Sequence, residues 1–161
     1  MENMRAMMAT LKLTVNEEKT HICRIPEEHV NFLGYTIGRC YSPQTGRAYL
    51  GTRPSKKSIQ RLCQAISDCT SRRWLWRDAE TQVQQLNRLL AGWANYFSLG
   101  AVSKAYRAVD THVGHRLRQW LCKKHKRDNQ GFIRYPDEYL YHTLGLTRLT
   151  ARKRNFPWAK A

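Results

Sequence analysis

The sequence predicts a mostly α protein with a small antiparallel β element: a β-containing first third, then a three-helix bundle, then a short C-terminal helical tail. Three observations carry this. Between residues 19 and 51, β-branched and apolar residues recur with period two and are interrupted by turn-forming residues. From Pro54 to about residue 127 the apolar period changes to that of a helix and stays there. The charge divides in the same place. Residues 1–50 hold 6 Lys and Arg against 5 Asp and Glu, whereas residues 51–161 hold 22 against 7, out of a net +16 for the chain. The expected division is 1–51, 52–128 and 129–161.

In chain order, Met4, Met7, Met8 and Leu11 stand at helical spacing over residues 4–13. Lys19–Ile25 alternates as a strand does and is stopped by Pro26. Val30–Ile37 and Ala48–Gly51 are two further β-like runs, with Ser42-Pro43-Gln44-Thr45-Gly46 a turn between them. Three short strands and one helix are too little to fold alone, so this piece is expected to pack on something else.

The first bundle helix is capped by Ser55 and buries Ile59, Leu62, Cys63, Ile66 and Cys69. Its polar side carries Lys56, Lys57 and Arg61. Arg72-Arg73-Trp74-Leu75-Trp76-Arg77 links it to a second helix, capped by Asp78 and running to about Phe97. That helix has Val83, Leu86, Leu89, Leu90, Trp93, Tyr96 and Phe97 on its inner face. Gly100 marks a helix end or tight turn. The third helix, about 101–127, is roughly 40 Å long at 1.5 Å per residue. Val102, Tyr106, Val109, Val113, Leu117 and Trp120 lie on one side of it. Lys104, Arg107, Thr111, His115 and Arg118 lie on the other, which reads equally as a basic ridge for a nucleic-acid duplex and as an ordinary solvated face. Lys123, Lys124, Lys126 and Arg127 at its end favour phosphate contact, although cations also suit a helix C-terminus. A short helix begins near Tyr135, and Leu144, Leu146 and Leu149 are placed to dock back on the bundle. Arg148, Arg152, Lys153 and Arg154 then crowd before Phe156-Pro157-Trp158. Such Arg-aromatic mixtures stack on bases and grip phosphates, and a tail tucked onto the core explains the aromatics as well.

Composition narrows the function. The cationic excess calls for a polyanionic partner, because Lys and Arg that neutralise phosphates release condensed counterions. No apolar run is long enough for a membrane span, and the first residues lack the apolar core of a signal peptide, so a cytoplasmic, nucleoid- or RNA-associated protein with no membrane partner is expected. Cys23, Cys40, Cys63, Cys69 and Cys122 are odd in number and have no CxxC spacing, which argues against a disulfide framework and against a metal site. Acids are sparse: after Glu28 the next is Asp68. Neither paired carboxylates for two Mg²⁺ ions nor a GxxxxGK[ST], GxSxG or HExxH motif occurs. His112 and His115 read as surface or RNA-facing. The residues alone describe a basic helical binding module without catalytic residues.

Three stretches then resemble group II intron-encoded reverse transcriptase/maturase proteins. Leu11-Lys12-Leu13-Thr14-Val15-Asn16-Glu17-Glu18-Lys19-Thr20 is similar to the late-palm motif "LxLNxEKT", Phe32-Leu33-Gly34-Tyr35 to "FLGY", and Leu90-Ala91-Gly92-Trp93-Ala94-Asn95-Tyr96-Phe97 to the "GWxNYF" signature. Gly145–Leu149 and Pro157–Ala161 also resemble the ends of such proteins. The resemblance implies a β-containing end of the polymerase palm over 1–51, a thumb-like maturase domain over 52–128 and a C-terminal extension. It implies a primer-grip-like role for Phe32, Leu33 and Gly34, a late-palm lysine at Lys19, and a structural signature at Gly92, Trp93, Asn95, Tyr96 and Phe97. RNA contacts are then expected from Lys56, Lys57, Arg61, Arg72, Arg73, Lys104, Arg107, Arg118, Lys123, Lys124, Lys126, Arg127, Arg152, Lys153 and Arg154. Structured intron RNA is the implied partner, with an RNA/DNA template-primer duplex and the fingers and rest of the palm as further ones. The family's catalytic "YADD" box would precede residue 1. The resemblance therefore implies no catalytic residue and no cofactor in this chain (Mg²⁺ serving a complete polymerase) and no polymerisation by it alone. An inactive remnant of a mobile element, or the C-terminal piece of a split polymerase, are the competing expectations.

Overall fold

The computed structural model describes residues 2–14, 16, 22–42, 44–127 and 130–152. Helix α1 spans Glu2–Thr10, and a three-stranded antiparallel sheet follows with strand order β1-β2-β3: β1 Val30–Phe32, β2 Tyr35–Tyr41 and β3 Ala48–Pro54. Three long helices come next, α2 Lys56–Cys69, α3 Ala79–Tyr96 and α4 Ser103–Lys124, then the single turn α5 Gly131–Arg134, a π turn at Tyr139–Thr143 and a 3₁₀ turn at Leu149–Ala151. The chain is thus mostly α with a small antiparallel sheet, as the apolar periods predict. Among the described residues, no helix is long and apolar enough to cross a membrane.

The sheet differs from the expectation in two places. Ile22–Ile25 is not a strand; the chain turns there, with the Glu28 N–H on the Arg24 carbonyl at 2.8 Å and the Arg24 N–H on Glu28 Oε2 at 2.9 Å. Lys19, Thr20 and His21 lie outside the described residues. The run Val30–Ile37 is two strands rather than one. Phe32 pairs with Tyr35, so Leu33 and Gly34 form a two-residue hairpin loop, with φ of +48° and +81°. Positive φ at both positions is the signature of the hairpin turn whose twist matches its strands. Gly34 adopts it freely, whereas a leucine there costs about 1–2 kcal/mol.

Both helix caps fall where the sequence places them. Ser55 Oγ accepts from the Ser58 N–H at 3.2 Å, and Asp78 Oδ2 from the Thr81 N–H at 2.8 Å. The latter bond is the first cause that holds the Asp78 carboxyl below its ordinary pKa. The core joins Leu62 and Ile66 of α2, Val83, Leu86, Leu90 and Ala94 of α3, and Val109, Val113, Leu117, Trp120 and Leu121 of α4. Leu140, Leu146 and Leu149 dock onto it from the C-terminal segment and Leu144 packs against it half-buried, as expected for Leu144, Leu146 and Leu149. Helices α2 and α4 run parallel, since His112 meets Cys63 and Ser67 while Arg116 meets Thr70 one turn further along both.

The C-terminal segment covers a second side of α4. Buried Asp110 accepts the Leu149 N–H at 2.9 Å, the Thr150 N–H at 3.0 Å and the Thr150 hydroxyl at 2.7 Å. That coverage overturns part of the expected ridge on α4. Arg118 is only 5% exposed; its Nε donates to the Tyr135 carbonyl at 2.7 Å, its Nη2 pairs with Asp137, and its guanidinium lies 4.3 Å from the Phe132 ring centre. Periodicity placed Arg118 on the outer side, but that side is covered by residues brought in from a different part of the chain.

Candidate nucleic-acid interface

The junction between sheet and bundle is built from the loop Leu33–Gly34 and the C-terminal end of α3. Tyr35 Oη donates to the Tyr96 carbonyl at 2.6 Å, and Tyr96 Oη donates back to the Leu33 carbonyl at 2.9 Å. The Gly34 carbonyl accepts the Ser55 N–H at 2.9 Å. Phe97 is the hub of this junction. Its ring centre lies 4.9 Å from Tyr35, 4.9 Å from Trp93 and 4.8 Å from Tyr96. A Cβ on Gly34 would stand 2.9 Å from Phe97 Cζ, so the glycine is needed for close approach as well as for its φ. Tyr106 Oη closes the end of α3 by bonding the Phe97 carbonyl at 3.0 Å. A second fastening lies beside it, the Ala101 N–H on the Thr52 carbonyl at 2.8 Å, where Gly100 (φ +73°) leaves no room for a side chain.

The signature residues Trp93, Tyr96 and Phe97 therefore join the hairpin to the bundle. Tyr96 is not on the inner face of α3 as its period suggested: it is 53% exposed and faces the hairpin. Gly92 is open, and exposed Asn95 accepts from the Arg152 guanidinium. Burial raises the Tyr35 hydroxyl's pKa above its ordinary value.

Docking of the hairpin creates an open groove of about 1900 Å³ between the sheet and the N-terminal ends of α2 and α4. Arg39 from β2, Arg53 from β3, Lys56, Lys57 and Arg61 from α2, and Lys104 and Arg107 from α4 line it, with Glu27 the sole carboxylate among the lining residues. Asn31 and Gly34 line it too, so it reaches the hairpin loop, where Phe32 and Leu33 are 61% and 67% exposed. Five of these cations were expected from sequence. Arg39 and Arg53 were missed, because strand residues reveal their groove only once the hairpin is docked. Gly38 pairs with Gly51 in the sheet, and the His29 ring, which lines the groove, lies over Gly38.

The other expected contacts separate into three sets. Arg72, Arg73, Lys123, Lys126 and Arg127 are exposed at the opposite end of α4. Lys124 and Arg118 are engaged within the protein, Lys124 Nζ donating to the Leu75 carbonyl at 3.0 Å and to the Arg77 carbonyl. Lys19, Lys153 and Arg154 lie outside the described residues. His112 also faces inward, its Nε2 3.1 Å from the Cys63 carbonyl and 3.2 Å from Ser67 Oγ, and burial lowers its pKa. His115 is exposed. Among the described residues, no three His, Cys, Asp or Glu side chains converge where a metal ion would sit.

No curated protein matches the chain. Residues 59–136, which span most of α2, all of α3 and α4, and the single turn α5, match the family model of the group II intron maturase-specific domain. They contain the signature residues of the junction as well as Arg61, Lys104 and Arg107 of the groove. The match covers 78 of the chain's 161 residues and supports a relation to the group II intron maturases over that stretch.

Proposed function

We propose that this protein binds structured intron RNA through the groove between sheet and bundle, and so helps the RNA reach its splicing-competent fold without covalent catalysis. The observation that carries the reading is the convergence of seven cations from four elements around one open groove with a single acid. Phosphate contacts of this kind recognise an RNA helix by its shape rather than its sequence. The exposed Phe32–Leu33 loop at the rim supplies an apolar contact for a base or sugar. This chain contributes positioning and neutralisation, and the reading requires no metal or cofactor held by its own residues. It treats the sheet, Val30–Pro54, as one wall and helices α2 and α4 as the other wall of one binding surface, with Gly131–Arg152 bracing α4.

The test is the salt dependence of binding to a structured RNA. Each phosphate contact adds about 0.7–0.9 to the slope of log affinity against log salt. Lys104→Ala with Arg107→Ala is expected to lower the slope by about 1.5 on that scale, with an unchanged melting temperature. A slope equal to the wild type would remove the groove from the interface.

A second reading, in which the groove grips an RNA/DNA template-primer duplex as part of a complete polymerase, is favoured by the loop itself. A strained, exposed Leu33 fastened to the bundle by Tyr96 suits a fixed contact beside a duplex end. Primer extension restored on mixing with a separately supplied fingers and palm portion would support it. A complex that forms yet extends nothing would count against it and favour an inactive remnant.

A further inference from the structure

The linker between α2 and α3 holds an aromatic surface that the groove does not use. Trp76 is 75% exposed. The Trp74 and Trp76 rings lie 6.2 Å apart at 49°, and Arg77 stacks over Trp74 at 3.6 Å, with Arg73 5.2 Å from the same ring. The linker is not slack: Lys124 at the end of α4 donates to the Leu75 and Arg77 carbonyls, and Leu75 packs against the core. Trp76 is thus held out in water by a braced turn, with the Arg77 guanidinium nearer to Trp74 and 5.6 Å from the Trp76 ring centre.

The charge around it is mostly positive. Arg72, Arg73 and Lys123 are exposed, and among the described residues no ion pair engages Arg72, Arg73 or Arg77. The adjacent carboxylate, Asp78, is occupied by the Thr81 N–H. An exposed indole rimmed by unpaired guanidiniums has the two features that hold an unpaired nucleotide, a ring for the base and cations for the phosphates on either side. A second copy of this chain is disfavoured by its own net +16. The patch lies at the C-terminal end of α4 and the groove at its N-terminal end. The 22 residues of that helix set the two roughly 30 Å apart.

We propose that Trp76, with Arg72, Arg73 and Arg77, is a stacking site for an unpaired base of single-stranded RNA, separate from the groove. A helix lying in the groove and a single-stranded segment reaching Trp76 would then engage opposite ends of α4. The proposal does not depend on the groove reading, because its test uses RNA with no duplex and variants that leave the groove unaltered.

The experiment measures binding of the full chain to a labelled oligoadenylate of about eight nucleotides. A matching strand carries abasic riboses at its central positions. Trp76→Ala is expected to weaken the intact strand about tenfold, and Trp76→Phe less, in keeping with the usual value of one base-aromatic stack. The abasic strand is expected to bind wild type weakly and to lose nothing more on Trp76→Ala. Arg72→Ala with Arg73→Ala should weaken both strands and flatten the salt dependence. Three results would overturn the proposal: Trp76→Ala within twofold of wild type on the intact strand, an equal loss on the abasic strand, or a loss equally large for polyglutamate, which would make the patch a docking point for acidic protein. Trp76 makes no core contact, so its variants should melt as wild type does. Were Trp76→Ala not to fold, the intact-to-abasic difference on wild type alone decides the matter, and its absence refutes the stack.

Discussion

Replacing Phe97 by alanine tests whether the junction, rather than chain connectivity, holds the hairpin in place. The ring is 7% exposed and meets Tyr35, Trp93 and Tyr96 at 4.8–4.9 Å between ring centres. A buried Phe→Ala change costs about 3–5 kcal/mol. This site borders solvent through exposed Tyr96 and Leu33, so water can partly fill the space, and about 3 kcal/mol is the better figure. The loss should fall unevenly. The α4 core around Val109, Val113 and Leu117 does not rest on Phe97, whereas the hairpin is held by this ring, by the Tyr35–Tyr96 pair of hydrogen bonds and by the Thr52 contact. Amide exchange followed by mass spectrometry should therefore show Tyr35–Tyr41 and Ala48–Pro54 exchanging on the order of a hundredfold faster, with α4 nearly unchanged. A double-mutant cycle of Tyr35→Leu with Phe97→Leu should give a coupling of about 1 kcal/mol for the ring pair. Equal acceleration across α4 and the hairpin, or unchanged exchange in the hairpin, would refute the reasoning.

Other perturbations follow from the same geometry. Arg118→Ala should destabilise by about 2–3 kcal/mol, read as a lowered melting temperature, because it strips Asp137 and the Tyr135 carbonyl of a buried partner; Asp137 is 63% exposed, which keeps the cost below that of a sealed pair. The same variant should leave the salt slope of RNA binding within error of wild type, the reverse of the groove variants. Asp110→Ala should cost about 2–4 kcal/mol, since it leaves two backbone N–H groups of the C-terminal segment without an acceptor, and limited proteolysis should then cut near Leu149. Burial lowers the pKa of His112 in the folded protein, so the unfolded chain binds more protons as pH falls through the ordinary histidine value. Its share of stability is present above that value and is lost as pH falls towards the folded pKa. Melting temperatures should drop between about pH 7 and pH 5, and His112→Gln should flatten the drop.

The parts of this architecture that follow from local pattern were legible in the sequence. Ser55 and Asp78 announce their helices because a cap needs only an oxygen and the next turn. The buried stripe of α4 follows from its period, and Leu146 and Leu149 stand out as apolar residues in a basic tail. What escaped depends on distant chain. Arg118 and His112 fall on faces that look outward by period and are covered by Tyr135–Asp137 and by α2. The turn at Leu33 escaped because leucine is a poor residue for left-handed backbone, and nothing local tells that Tyr96 and Ser55 brace its loop. Arg39 and Arg53 escaped because a strand residue has no groove until its sheet is docked.

Apart from Arg118 and His112, these failures share a location. The strained Leu33 loop, the bonded pair Tyr35 and Tyr96, the close approach of Gly34 to Phe97 and the missed arginines all surround one junction, where the sheet acquires its orientation against the helices. The groove exists only in the docked arrangement, since its cations are divided between Arg39 and Arg53 on the hairpin and Lys56, Lys57, Arg61, Lys104 and Arg107 on the helices. Any polyanion that contacts both walls binds the docked form better than the undocked one, and by linkage it stabilises the junction by its differential affinity. RNA at a hundred times its Kd should therefore restore up to about 2.7 kcal/mol to Phe97→Ala, nearly the whole of its expected loss. Amide exchange in β2 and β3 would slow on adding RNA while that in α4 stayed as it was. If RNA bound Phe97→Ala as tightly as wild type and left the hairpin exchange fast, it would be reading the helices alone, and the sheet would be no part of the surface.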